Sequence, residues 1–397
     1  MFTVFSKPGC GWCQKAKDLL EAKTLEYSET SCEDLADLRT RLGPFASKGI
    51  ESFPAIFDPS GQFVGGYAHL RDRVDEPILA PTMQRYSAFP VEHPDIYELY
   101  KKALASFWTA DEITLTQDSA DFQELTRDEQ HFIKHVLGFF AGSDGVVNEN
   151  LDTNFYQEIQ AADSRQFLAY QAFNEAEHSR TYGMLIDSLV KDAEERDLLF
   201  GAIEKVPAVA RKAEWAMKWM DPARNGFAER LLGFMCVEGI LFSGSFCAIF
   251  WVKQAHPGKM PGLSLSNQFI SRDEALHCQH AALVYSKLRH KLSETRVHEI
   301  FKGAVDAEKA FILEAVPCTL IGMNPKLMSG YVEFVADSLL ADIGYSAAYG
   351  TKNPFSWMEA ISLDGKTNFF ESRVSEYSRA GVMTSVDSSV FDLDLDF

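Results

Sequence analysis

The strongest constraint in this sequence is a pair of Glu-x-x-His elements, Glu175 to His178 and Glu274 to His277. On a helix, residues three apart share a face, so each element aims one carboxylate and one imidazole at the same point. Two further acids stand alone in apolar surroundings, Asp144 in FFAGSDGVV and Glu238 in FMCVEGILF. A lone buried carboxylate is costly unless a metal ion or a partner compensates it. Taken singly, a Glu-x-x-His is usually a surface acid preceding a core histidine. Two of them, spaced with two isolated acids, fit a chain that brings four helices together around two metal ions, with Asp144 where a Glu is usual. Hard oxygen and imidazole donors suit iron or manganese.

The remaining pattern supplies those helices. From Ile96 to about Asn368 the periodicity is helical almost throughout, as in Phe132, Ile133, Val136, Leu137 and Phe140. Ahead of it, short β-like runs (Phe2 to Phe5, Leu25 to Glu29, Ala55 to Phe57, Gln62 to Val64) alternate with helical ones from about Gly11 to Ala22 and Asp34 to Leu42. The expected fold class is therefore α+β and multidomain, a small α/β domain followed by an all-α bundle of the ferritin-like di-metal kind. Pro77, Pro81, Pro90 and Pro94 break the periodicity between the two. The expected division is 1–80 for the first domain, 81–92 for a linker, 93–368 for the helical domain and 369–397 for a mobile tail.

Composition narrows the partners. With 46% hydrophobic residues the chain can bury a sizeable core, and a formal net charge of -19 is the wrong sign for a nucleic-acid phosphate backbone. The N-terminus has no cationic stretch followed by a long apolar run, so no signal peptide is expected. The apolar run near Gly239 to Val252 is interrupted by Ser243, Gly244 and Ser245 and reads as too short to cross a bilayer. Seven cysteines, scattered apart from one pair, do not form a secreted disulfide framework. A cytoplasmic protein is expected, binding neither membrane nor nucleic acid.

That one pair is Cys10-Gly11-Trp12-Cys13, placed between a strand and a helix. The helix N-terminus stabilises a thiolate on the first cysteine, and the second can resolve a mixed disulfide. The competing reading, half a zinc site, lacks a second Cys or His pair at the right spacing. FSKPGCGWC, SFPAIF and VGGY, in that order, resemble the glutaredoxins. The resemblance implies a thioredoxin-like fold and use of glutathione. By position, Cys10 would be the nucleophile, Cys13 the resolving thiol and Lys7 the neighbouring cation, with Phe53, a cis-compatible Pro54 and Gly66 in the glutathione groove. One departure stands out: where the family places a polar or acidic pair for glutathione's amino end, this chain has Ala68 and His69.

Bundles with two metal ions store iron, desaturate lipids, oxidise hydrocarbons or make radicals, so ligands alone do not select a reaction. Tyr182 lies one turn after His178 on the same face, Trp108 sits in ASFWTADE, and Asp273 directly precedes Glu274. SFWTADEI, HFIKHVLGFFAGSDGVVNENL, NEAEHSRTY, VEGILFSGSF, MPGLSLSNQFISRDEALHC and RVSEYSRAGVM resemble the small subunit of class I ribonucleotide reductases over about 300 residues. The resemblance implies that Asp144, Glu175, His178, Glu238, Glu274 and His277 bind a dinuclear iron or manganese centre. It implies that oxygen activation there oxidises Tyr182 to a stable radical, walled by Phe242, Phe246 and Ile270. Trp108, linked through Asp273 to His277, would begin a transfer path that Tyr377 carries to a large subunit, where ribonucleotides are reduced. The alternation of Phe391, Leu393, Leu395 and Phe397 with aspartates fits a tail that docks on that partner. The expected assembly is a homodimer, with the fused first domain supplying reducing equivalents from glutathione. The alternative is a stand-alone di-metal oxidase, which would need neither Trp108, Tyr377 nor the tail.

Overall fold

The computed structural model describes residues 1–47, 50–59, 61, 63–222, 224–315, 324–355 and 358. Tyr377, Cys318 and the tail from 369 lie outside the described residues.

The first unit is built on four strands, β1 (Phe2–Ser6), β2 (Tyr27–Ser31), β3 (Ala55–Phe57) and β4 (Phe63–Gly65), in the order β2-β1-β3-β4. β2 runs parallel to β1, whereas β3 and β4 are antiparallel neighbours. The central strand β1 is buried on both faces, which is why FTVFS reads as nearly continuous apolar sequence rather than as alternation. Helix α1 (Gly11–Ala22) covers one face with Cys13, Ala16 and Leu20, spaced three and four apart, against Phe2, Val4 and Ile56. Helix α2 (Leu35–Ala46) bends at Gly43, whose φ of 78° only glycine adopts freely, followed by Pro44. A third helix, α3 (Tyr67–Asp75), was not legible as periodicity; its mean hydropathy is low and only Leu70 and Asp72 are buried.

The second unit is helical. Its framework is Arg127–Asn150, Ala162–Leu189, Phe227–Cys236 continuing through Val237–Leu241 into Ser243–Ala255, and Pro261–Lys287. Arg127–Asn150 starts at a reciprocal cap in which Thr126 accepts from Glu129 N–H and Glu129 accepts from Thr126 N–H. Pro261 sits in the first turn of its helix, where its missing N–H is no loss. The stretch Phe227–Ala255 is longer than the sequence suggested: the interrupting serines and glycine stay helical, and the helix runs for 29 residues. Length and composition would let it cross a bilayer, but 94% of its most apolar window is buried inside the protein. Among the described residues the last long helix is Pro325–Asp342, and residues 343–355 are turns, bends and irregular chain, with Gly344 at φ 83°.

The two units touch. Ile78 and Leu79, just after α3, are buried in the core of the helical unit. The Glu76 carboxylate accepts from the backbone N–H of Arg289 and His290, and Asp75 pairs with Lys23 at 2.6 Å and His290 at 2.8 Å.

Candidate metal centre and dithiol site

Four helical segments deliver six side chains that could ligate metal to one buried point. Asp144 comes from Arg127–Asn150, Glu175 and His178 from Ala162–Leu189, Glu238 from the wide π turn Val237–Leu241, and Glu274 and His277 from Pro261–Lys287. All six are at most 3% exposed. Their donor atoms gather in two groups, Asp144–Glu175–His178 and Glu175–Glu238–Glu274–His277, each within 4.8 Å, with Glu175 in both. The two paired elements face each other with near-symmetry. Glu175 lies 3.6 Å from His178 Nδ1 and 3.0 Å from His277 Nδ1, and Glu274 lies 3.1 Å from the first and 2.8 Å from the second.

The donor set fits a pair of dications. Asp144 Oδ2, both Glu175 oxygens, His178 Nδ1, Glu238 Oε2 and Glu274 Oε1 are all buried without a hydrogen-bond partner of proper geometry. Such orphans are expensive in a native core, and lone pairs converging on one point are what a cation satisfies. Proton affinities tell the same story. Burial and then the charge of Glu175 push Asp144 and Glu274 well above the carboxylate range. Burial also works against Glu175, but His277 and His178 overcome it and hold that group at about 2. Against its own burial, His277 is raised to about 10 by Glu175 and Glu238. Asp144, Glu175 and Glu274, packed this closely, cannot all ionise on their own.

Tyr182 stands beside this cluster, 1% exposed, its hydroxyl without a hydrogen-bond partner. Burial and then the charges of Asp144, Glu274 and Glu175 push the phenol well above its ordinary range. Phe140 stacks on its ring at 4.5 Å with planes 4° apart, and Phe242 and Phe246 pack against Phe140 at 5.4 and 4.9 Å. Sequence reasoning named Phe242, Phe246 and the fully buried Ile270 but missed Phe140, the residue in direct contact. A signal was there: Phe140 is one turn before Asp144 on the same helix face. Gln171, one turn before Glu175, was missed too; its amide donates to Glu238 at 3.2 Å.

Trp108 is 2% exposed, and its indole N–H donates to Asp273 at 2.7 Å. The onward link corrects the sequence reading. Asp273 meets His178 Nε2 at 3.3 Å, not His277, and also accepts from Asn174 at 2.9 Å. Asp273 is one residue ahead of Glu274, about 100° around the helix from the ligand face, so it reaches the neighbouring helix rather than its own helix's histidine. Trp108 also stacks on His178 at 6.0 Å. Burial raises Asp273, yet Arg272 and then His178 outweigh it and keep the carboxylate at about 2. His280, three after His277, is not a ligand: it bonds Ser164 at 2.8 Å and stacks on Phe167, and burial keeps it neutral, down to about 3.

The second site is at the first turn of α1. Cys10 and Cys13 are disulfide-bonded with Cα atoms 5.3 Å apart, and Cys13 N–H points at Cys10 Sγ from 3.2 Å. Cys13 is 2% exposed, whereas Cys10 is half-buried and therefore the sulfur open to attack. Cys10 Sγ is 4.0 Å from the Phe53 carbonyl, and the Phe53–Pro54 peptide is cis. Lys7 is exposed on the turn whose carbonyl accepts from Cys10 N–H. Gly66 packs near the Pro54 carbonyl, where a Cβ would come within 3.7 Å, and its N–H donates to His69 Nδ1 at 3.2 Å. His69 thus caps its own helix, and burial holds its imidazole below the ordinary range.

Both units match known families. Residues 85–354 match the family model "Ribonucleotide reductase, small chain", and residues 2–64 match "Glutaredoxin". The sequence is 55% identical over 331 residues to a ribonucleoside-diphosphate reductase small chain of Arabidopsis thaliana, covering 81% of this protein and 98% of the relative. It is 51% identical over 323 residues to the human ribonucleoside-diphosphate reductase subunit M2, covering 81% and 82%. The solved structure of the ribonucleotide reductase Rnr4 homodimer from Saccharomyces cerevisiae superposes with a TM-score of 0.66 at 34% identity, covering 74% of this protein and 93% of that one.

Proposed function

Because this chain belongs to the ribonucleotide reductase small-chain family and carries a glutaredoxin domain ahead of it, we propose that it is the radical-generating subunit of a ribonucleoside-diphosphate reductase with its own dithiol reductant attached. The observation that carries the reading is the buried six-ligand cluster with Tyr182 packed against it. Bound by Asp144, Glu175, His178, Glu238, Glu274 and His277, two iron or manganese ions would supply oxygen activation and a one-electron oxidant strong enough for a phenol. Tyr182 would give up an electron to that oxidant and its hydroxyl proton to Asp144, the carboxylate whose charge acts most strongly on the phenol. Phe140, Phe242 and Phe246 keep water and reductants from the resulting neutral phenoxyl.

Trp108 and Asp273 are suited to begin radical transfer, because the indole, the carboxylate and His178 form one continuous hydrogen-bonded line. Tyr377 and the alternating tail would extend that line to the large subunit. The homodimeric yeast relative supports a homodimer here. In the first domain, Cys10 would attack the disulfide left on the large subunit at each turnover, with Cys13 resolving the mixed disulfide and glutathione restoring the dithiol. Tethering makes that exchange intramolecular within the complex. The linker and tail are assigned to 81–92 and 369–397, and the compartment to the cytoplasm.

The deciding experiment is electron paramagnetic resonance on iron-loaded protein before and after oxygen. An organic radical signal is expected in wild type and in Trp108→Phe and is lost in Tyr182→Phe. Its persistence in Tyr182→Phe would overturn the assignment. Silence under both iron and manganese would favour the alternative oxidase reading. Replacing Cys10 and Cys13 together by serine is expected to abolish glutathione-driven turnover while leaving turnover with an external dithiol.

A further inference from the structure

A cavity of about 380 Å³ lies in the seam between the two units, and nothing in the metal or dithiol chemistry uses it. Its walls come from β4 and α3 on one side, the connecting segment through Arg85, and the helical unit on the other. That size matches a small organic ligand rather than a few waters.

The donors around it are incompletely used. Arg230 is 2% exposed; its Nη2 bonds Glu158 and its Nε bonds the Asn225 carbonyl, but Nη1 is buried with no partner. Arg85 gives Nη1 to the neutral amide of Gln160, and its Nε is likewise buried and unpartnered. Arg85 forms no ion pair with any acid among the described residues. Nearby Arg165, stacked over Tyr156 and bonded to backbone carbonyls, is also without an acid among them; burial and then the charge of Arg85 lower its proton affinity. The carboxylates at the cavity are already engaged: Asp58 with Arg73, Asp72 with Arg71, and Glu158 with Arg230. A locus of uncompensated positive charge is unexpected in a chain of net charge -19. Phe63 and Phe227 add apolar surface, and Asn154 and Gln157 add amide groups.

We infer that this seam is a binding site for a small organic oxyanion, a phosphate- or carboxylate-bearing molecule whose charged group is held by Arg85 and Arg230. Planar guanidinium forks with free N–H groups suit such oxyanions. Because both units contribute walls, the ligand favours the docked arrangement of the redox domain over any arrangement that opens the seam.

Isothermal titration calorimetry of the full chain tests this with three probes: inorganic phosphate, ADP and glutathione disulfide. At least one is expected to bind, with affinity falling about tenfold in Arg85→Gln and in Arg230→Lys, each the loss of one charge-assisted contact. Arg230→Lys keeps a cation for Glu158, and thermal melting establishes that each variant is folded. Binding of ADP but not glutathione disulfide assigns the phosphate class, and the reverse assigns the carboxylate class. Absence of binding by all three probes, or binding equally strong in folded Arg85→Gln, overturns the proposal; the latter result for glutathione disulfide would place it at Cys10 instead.

Discussion

The two sites proposed for redox chemistry in this chain are built on opposite principles. At the carboxylate–histidine cluster, six candidate ligands and Tyr182 are nearly sealed from solvent, and their unsatisfied polar atoms face one another. At the dithiol, Cys10 is half-buried at a helix N-terminus, beside an exposed Lys7 and a Trp12 that is 57% exposed. A phenoxyl survives only where reductants are excluded, whereas a thiol works only where a second sulfur can approach in line. The cost of the first design is desolvation, carried by a large helical core. The second costs little, and an 80-residue domain with a four-stranded sheet suffices.

The sharpest way to break this contrast is to remove the shared ligand. Glu175→Ala is expected to abolish stoichiometric binding of both metal ions, read by metal analysis after gel filtration, while thiol–disulfide exchange by the first domain is untouched. Loss of only one ion would show that Glu175 does not serve both halves. The reciprocal change, Cys10→Ser, is expected to eliminate glutathione-dependent disulfide reduction and to leave the radical yield unchanged; a lower yield would mean that the centres are coupled.

A smaller effect is expected where burial itself is tested. Phe140→Ala removes the ring stacked on Tyr182 and should destabilise the helical unit by roughly 3–5 kcal/mol in denaturant titration. It should also shorten the radical's lifetime by admitting water. Unchanged decay would assign the protection to Phe242 and Phe246 alone.

The smallest concerns a buried pair that serves neither centre. Lys212 and Glu308 meet at 2.6 Å with both side chains fully buried, the ammonium over Phe139. Burial lowers Lys212 to about 8 and raises Glu308 to about 7. Lys212→Met leaves the carboxyl alone. A carboxyl raised in the fold holds its proton there, so the penalty is absent below the unfolded value of ~4.3 and grows as pH rises above it; because Lys212 lowers Glu308, its loss moves the carboxyl higher still and extends that growth to higher pH. The variant should lose about 3 kcal/mol at pH 8 and markedly less at pH 5. Equal losses would show that Glu308 is not desolvated.

Much of both centres was legible because their chemistry follows helical spacing. Glu175–His178, Glu274–His277 and Tyr182 each obey a three- or four-residue interval, and Cys10–Cys13 sits where strand gives way to helix. Helix α3 escaped because it buries so few apolar groups. The break in helix after Asp342 escaped because turns at Gly344 and Gly350 interrupt apolar sequence that looks helical.

By itself, the sequence determined which residue types share a face, and hence the two Glu-x-x-His pairs, the dithiol and the two-unit plan. Only the tertiary structure decided which faces meet. Asp273 serves His178 rather than His277 because helix packing, and not spacing along one helix, sets the partner of a residue off the ligand face. Likewise Phe140 reaches Tyr182, and Arg85 comes beside the cavity bounded by Arg230, through contacts between segments far apart in the chain. Local periodicity carries direction around a helix axis but no information about the neighbour across it.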